Sequence, residues 1–139
     1  MKNTYNLNTS NGVKWKLYLG LQDQHAPDTP DELLTSSFKK IEASVPGNVE
    51  VDLELAGLIK DPKIGNNVYE LREFELYCWW YRCKFEKPKV HNGHRVELRF
   101  DGIDCITDIW LNNERIGKTE NMFVEYRFDV TDFLKKENE

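Results

Sequence analysis

Short runs in which apolar and polar residues alternate one for one recur along this chain, and they restrict the folds open to it. Val13, Trp15, Leu17 and Leu19 alternate with Lys14, Lys16 and Tyr18, and Ile41, Ala43 and Val45 repeat the pattern. Trp79, Tyr81, Cys83 and Phe85 share one face of a later run, with Trp80, Arg82 and Lys84 on the other. Val96, Leu98 and Phe100 stand against Arg95, Glu97 and Arg99, and Met122, Val124, Tyr126, Phe128 and Val130 close the series. A period of two is that of a half-buried strand. Cys105 to Leu111 is more continuously apolar and also reads as a strand. Turn chemistry separates the runs at Pro88 to Gly93, at Asp101-Gly102 and at Asn112-Asn113-Glu114-Arg115, the last a hairpin loop into Ile116-Gly117. Short strands punctuated in this way predict an all-β antiparallel sandwich or barrel, formed as one domain over residues 1–139.

One stretch departs from the pattern. From Val45 to Asn66 the chain has Pro46 and Pro62, Gly47, Gly57 and Gly65, and a single apolar run between them. Loops of this length inside a compact domain carry function or their own structure. Val49, Val51, Leu53 and Leu55 alternate with Glu50, Asp52 and Glu54, which favours a strand. Asn48 as N-cap and Gly57 after the last turn favour a two-turn helix. Pattern alone leaves both readings open. Upstream, Thr29-Pro30-Asp31-Glu32 has the form of a capping box with Pro at the first helical position, so at most a helical turn follows through Leu33 and Leu34.

Composition excludes several function classes. Forty per cent hydrophobic and 12% aromatic residues mark a folded chain rather than a disordered one. A net charge of -5 opposes binding to nucleic acid or to an anionic membrane surface. No apolar run reaches the length of a membrane span. The first residues, Met-Lys-Asn-Thr-Tyr-Asn-Leu-Asn, lack the apolar core of a secretory signal, and Cys78, Cys83 and Cys105 form no paired motif. A reducing, cytoplasmic setting without disulfide or metal is the expectation.

Val45-Pro46-Gly47, Asp52-Leu53, Ala56-Gly57-Leu58-Ile59, Asp61-Pro62 and Gly65 with Asn66 and Asn67 come in a familiar order. Then follow Trp79-x-Tyr81-x-x-x-Phe85, Leu98-x-Phe100-Asp101-Gly102-Ile103-Asp104, Asp108-x-Trp110-Leu111-Asn112-Asn113, Asn121-Met122-Phe123 and Tyr126-x-Phe128-Asp129-Val130-Thr131. Together they resemble the N-terminal domain of family-two glycoside hydrolases, nearest the β-mannosidase branch, over Val13 to Leu134. The resemblance implies a galactose-binding-like, jelly-roll β-sandwich and tips the crossover towards one short helix. It implies a retaining β-glycosidase as parent, acting in carbohydrate metabolism, whose two catalytic carboxylates lie on a separate barrel absent here. The isolated domain would then be catalytically inert, would support the barrel and would help wall the sugar pocket. Family domains of this type continue past the final turn with a further strand and a tryptophan-rich loop, so the resemblance implies a truncated piece. The family's β-galactosidases place a sugar-contacting asparagine shortly before the position of Tyr81, where this chain has Glu75-Leu76-Tyr77-Cys78. A β-galactosidase-type parent, a free-standing carbohydrate-binding module and a purely structural interaction domain are the alternatives.

Retaining glycoside hydrolysis needs two carboxyl groups about 5–5.5 Å apart. Asp52, Glu54, Asp61, Asp101, Asp104 and Asp108 mostly alternate with apolar residues, so surface or capping roles are expected and no catalytic residue is assigned. Asp61 before Pro62 reads as a turn-forming residue. His91 and His94 lie in a turn with Asn92 and Gly93 and lack further ligands, so neither metal nor cofactor is expected. Asp61, Asn66 and Asn67, at the end of the crossover, are the candidate substrate-binding residues. Trp79, Tyr81 and Phe85 are assigned to the core. Trp80 and Trp110, on the opposite faces of their strands, are the candidate contacts to the missing barrel.

Overall fold

The computed structural model describes residues 3–91 and 93–139, so Asn92 in the His91 to His94 turn and the first two residues of the N-terminal segment lie outside the described residues. The chain forms two compact units, Met1–Lys84 and Phe85–Glu139.

The first unit is built on β1 (Trp15–Leu21), which is flanked by β2 (Lys39–Ala43) on one side and β3 (Tyr77–Cys83) on the other, both antiparallel. Leu17 lies opposite Ile41 and Tyr81, Leu19 opposite Trp79, and Trp15 opposite Ala43 and Cys83. Cross-strand partners share a face. The predicted alternation therefore puts Leu17, Leu19, Ile41 and Ala43 into one core, joined by Leu53 and Ile59 and covered by Trp15 and Trp79. A fully buried leucine such as Leu17 contributes about 1.5–3 kcal/mol through the apolar area it removes from water. Beside this core, Gly20 is required by packing, because the Phe38 ring occupies the space a Cβ would need.

The crossover resolves as a helix, α2 (Val49–Leu55). The Asn48 side chain accepts the Val51 N–H at 3.0 Å, and Gly57 takes φ +69° just beyond the C-cap. Leu58 N–H donates to the Leu53 carbonyl and Gly57 N–H to that of Glu54, the paired bonds of a Schellman ending. Caps thus override the period-two arithmetic. Val49, Asp52 and Leu53 face inward at helical spacing, whereas Val51 and Leu55, which a strand would have buried, are exposed.

Helix also forms outside the crossover, beginning with the turn expected after Thr29. The Thr29 capping box starts α1 (Pro30–Thr35), with Glu32 N–H on Thr29 Oγ1 at 3.3 Å. Two 3-10 helices, Thr9–Asn11 and Asn67–Phe74, also form among the described residues. The second occupies a segment that reads as irregular on the period-two template. Leu71 and Phe74, three apart, share the inner face of its three-residue turn and pack on the core.

In the second unit, three two-stranded ladders form: β4 (Phe85–Glu86) with β9 (Glu137–Asn138), β5 (Glu97–Phe100) with β8 (Tyr126–Asp129), and β6 (Thr107–Leu111) with β7 (Glu114–Thr119). The β6–β7 hairpin turns on Asn112 and Asn113 alone, at φ 53° and 69°, the positive values of a type I′ turn. Asn112 also donates to the Phe133 carbonyl at 2.8 Å and to Asn138 Oδ1 at 2.9 Å, and its Oδ1 accepts Glu139 N–H at 3.1 Å. Asn138 is buried, yet its amide is fully engaged, since it also accepts from Lys135 N–H and donates to the Lys135 carbonyl. At Gly117 the Phe128 ring fills the space a Cβ would need.

Two expected strands are shorter than their patterns. The alternation from Met122 to Val130 yields only Tyr126–Asp129, because the partner β5 ends at Phe100, opposite Tyr126, and Asp101-Gly102 then turns away. Likewise the apolar run from Cys105 becomes a strand only at Thr107, where Thr119 faces it. Cys105, Ile106, Met122, Phe123 and Val124 are left exposed.

Candidate functional site

The end of the crossover is organised by Asp61. Its Oδ1 accepts the Lys63 N–H at 2.9 Å, the Asx turn expected of an aspartate before proline. Its carbonyl accepts from Ile64 N–H at 3.2 Å and from Asn67 Nδ2 at 3.0 Å. Asn67 N–H in turn donates to the Ile64 carbonyl, and the Asn66 carbonyl receives Tyr69 N–H, which opens the 3-10 helix. Asp61, Asn66 and Asn67 are therefore brought together in one turn. Asn66 is exposed with no cap bond from its side chain, whereas Asn67 is half-buried with its amide nitrogen committed to the turn. Next to them Tyr69 is 59% exposed and carries the Arg72 guanidinium over its ring at 5.1 Å. Lys60 pairs with Glu70 at 3.3 Å across the same surface. This turn offers hydroxyl- and amide-compatible groups beside an aromatic face.

Asp52 is a correction to the surface role expected of the carboxylates. It is 2% exposed, on the inner side of α2, because the helix turns it inward together with Leu53. Its Oδ1 accepts the Ser44 N–H at 3.0 Å and so fastens the Ser44–Gly47 turn to the helix. Burial raises the Asp52 pKa above the usual carboxylate range, with the Ser44 N–H and the Tyr81 hydroxyl opposing. Oδ2 is buried without a hydrogen-bond partner among the described residues. The Tyr81 phenol is itself pushed up, first by burial and then by the charges of Asp52 and Glu50. The signal for this residue was Asn48 and Gly57: a helix capped there places position 52 inside. A cavity of about 360 Å³ beside Asp52 is bounded by Lys16, Lys40 and Glu42, with Lys16 paired to Glu42.

Of the aromatic candidates, Trp79 packs against the core as expected, while Tyr81 is 37% exposed. Trp80 lies opposite Tyr18 on the other face of the sheet and is half-buried. Trp110 is half-buried at a register shift between Ile109 and Trp110. In the second unit His91 and His94 stand 5.8 Å apart, edge to face, beside a cavity of about 670 Å³ that Lys87, Lys135 and Lys136 also line. Among the described residues no three His, Cys, Asp or Glu gather as a metal site. No described helix is long and apolar enough to cross a membrane.

Comparisons with known proteins place this geometry. The chain is 40% identical over 104 residues to a β-mannosidase of Rattus norvegicus, which covers 74% of this chain and 12% of that protein. It is 38% identical over 110 residues to β-mannosidase B of Thermothelomyces thermophilus, or 79% of this chain and 12% of that one. Among solved structures, the crystal structure of a β-D-mannosidase from Dictyoglomus thermophilum superposes with a TM-score of 0.66 at 34% identity, over 88% of this chain and 14% of that one. This chain thus spans about an eighth of the length of the relatives it matches. The fold is the galactose-binding-like β-sandwich, with strands dominant and helices short. The family model that describes the glycosyl hydrolase 2 galactose-binding domain-like fold matches residues 22–139, and the chain belongs to that family.

Proposed function

We propose that this chain is a non-catalytic domain of a β-mannosidase-type retaining glycosidase, in which it supports a catalytic barrel and walls part of the sugar pocket. The observation that carries the reading is the 38–40% identity to β-mannosidases over most of this chain, at only 12% of their length. The turn of Asp61, Asn66 and Asn67 is the part proposed to face the sugar. The exposed Asn66 amide and Tyr69 ring support this, since sugars are bound through hydroxyl hydrogen bonds and stacking of C–H faces. Trp80 and Trp110 remain the proposed contacts to the barrel. The family match runs through both compact units, which supports reading residues 1–139 as one domain. The spacing of Cys78, Cys83 and Cys105, which form no paired motif, supports a cytoplasmic setting.

The test is a sugar panel on the full product of the reading frame that contains these residues. Turnover of β-mannosides well above β-galactosides is expected, and the reverse order would contradict the mannosidase assignment. Calorimetric titration of the 139-residue chain with mannose and manno-oligosaccharides is expected to give no heat. Saturable binding would favour a carbohydrate-binding module instead.

A further inference from the structure

Two loops of the second unit, residues 101–106 and 120–125, are locked together. Thr119 Oγ1 donates to the Cys105 carbonyl at 3.2 Å, and Cys105 Sγ to the Glu120 carbonyl at 3.4 Å. The Tyr126 hydroxyl receives both Glu120 N–H and Asn121 N–H, at 3.2 and 3.0 Å, and the Asn121 side chain receives Phe123 N–H at 2.9 Å. Gly102 packs so closely on the Met122 carbonyl that a Cβ would stand 3.0 Å from it. This is a held surface, and it presents apolar side chains outward. Phe123 is 86% exposed, Ile106 75%, Val124 43% and Met122 42%. Clustered exposed apolar groups rimmed by polar ones mark interaction sites. The rim here is acidic: the two loops contain Asp101, Asp104, Glu120 and Glu125 and no Lys or Arg. Arg99, Lys118 and Arg127, on the neighbouring strands, pair with Asp101, Glu120 and Glu125, and four acids against these three cations leave an excess of one. A second copy would set acid against acid, which is repulsive.

We propose that this surface docks against another domain of the parent protein, one that offers an apolar centre ringed by Lys and Arg. This deepens the proposed function and rests on it, since relatives more than six times longer supply the occupant. The partner surface is thereby placed at Ile106, Met122, Phe123 and Val124, in addition to the two tryptophans.

Cys105, exposed at the edge of this surface, supplies the readout. Maleimide labelling at Cys105, quantified by peptide mass spectrometry, is compared in the 139-residue chain, in the full gene product and in both carrying Phe123→Asp. Slow labelling in the full product is expected, about tenfold faster with Phe123→Asp and similarly fast in the short chain, as an interface weakened by local opening requires. The urea midpoint of the short chain should be unchanged by Phe123→Asp, because that side chain touches little. Equal labelling of the short and full proteins would overturn the proposal. So would a midpoint lowered in the short chain, a short chain that dimerises and loses the dimer with Phe123→Asp, or a reading frame that stops at Glu139. Failure of the mannosidase reading is seen separately: the wild-type full product would leave β-mannosides intact while Cys105 stayed protected.

Discussion

Asp52 shows how one residue ties helix, turn and sheet together. Its Oδ1 holds the Ser44 N–H and its charge lies in a buried setting facing Tyr81. Asp52→Ala leaves that N–H without an acceptor and should cost about 1–3 kcal/mol in chemical denaturation. Asp52→Asn keeps an acceptor and removes the charge. Because burial raises the folded-state pKa of Asp52 above its unfolded value, the native state holds this proton more tightly than the unfolded one. Its contribution is therefore greatest at low pH and declines as pH rises from the ordinary carboxylate value through the raised one. The stability of Asp52→Asn relative to wild type should rise across that window and level off above it, as followed by urea titrations at stepped pH. Asp129 and Glu42 are shifted the other way by Thr131 and Lys16, so only the difference between the two proteins isolates Asp52. Leu53, beside it and fully buried, should lose about 2–5 kcal/mol on substitution by Ala.

At the scale of elements, the caps decide the crossover. Asn48→Ala should cost about 1 kcal/mol through loss of the Val51 bond. Gly57→Ala should cost about 1–2 kcal/mol, because a Cβ is strained at φ +69° even with open space around it. Thermal melts of the two variants check both. The strands around β1 were legible because alternation and burial coincide there: Leu17, Leu19, Ile41 and Ala43 are buried as the pattern demands. Where alternation outran its partner strand, as at Met122 and Val124, the pattern misled, since a period says nothing about what lies opposite. The crossover was only half legible. Val51 and Leu55 mimicked a strand, and the inward turn of Asp52 follows only once the helix is fixed. The 3-10 helix Asn67–Phe74 was missed because a three-residue period matches neither template. At the candidate site, the Asx turn of Asp61 could be read from Asp-Pro, but the return of Asn67 Nδ2 to the Asp61 carbonyl is a tertiary bond no local pattern reports.

For the whole molecule, family and fold rest on motif order, family match and superposition together, whereas the glycosidase activity is proposed from relatives of which this chain spans about an eighth. Three of the carboxylates have structural partners: Asp52 is engaged with Ser44, Asp61 forms a turn and Asp108 pairs with Arg115. The role proposed for this domain is to shape a glycosidase without performing its chemistry. Its most direct test is hydrolysis of a chromogenic β-mannoside by the 139-residue chain beside the full product of its reading frame. Turnover by the full product and none by the chain is expected; turnover by the purified chain itself would overturn the proposed role.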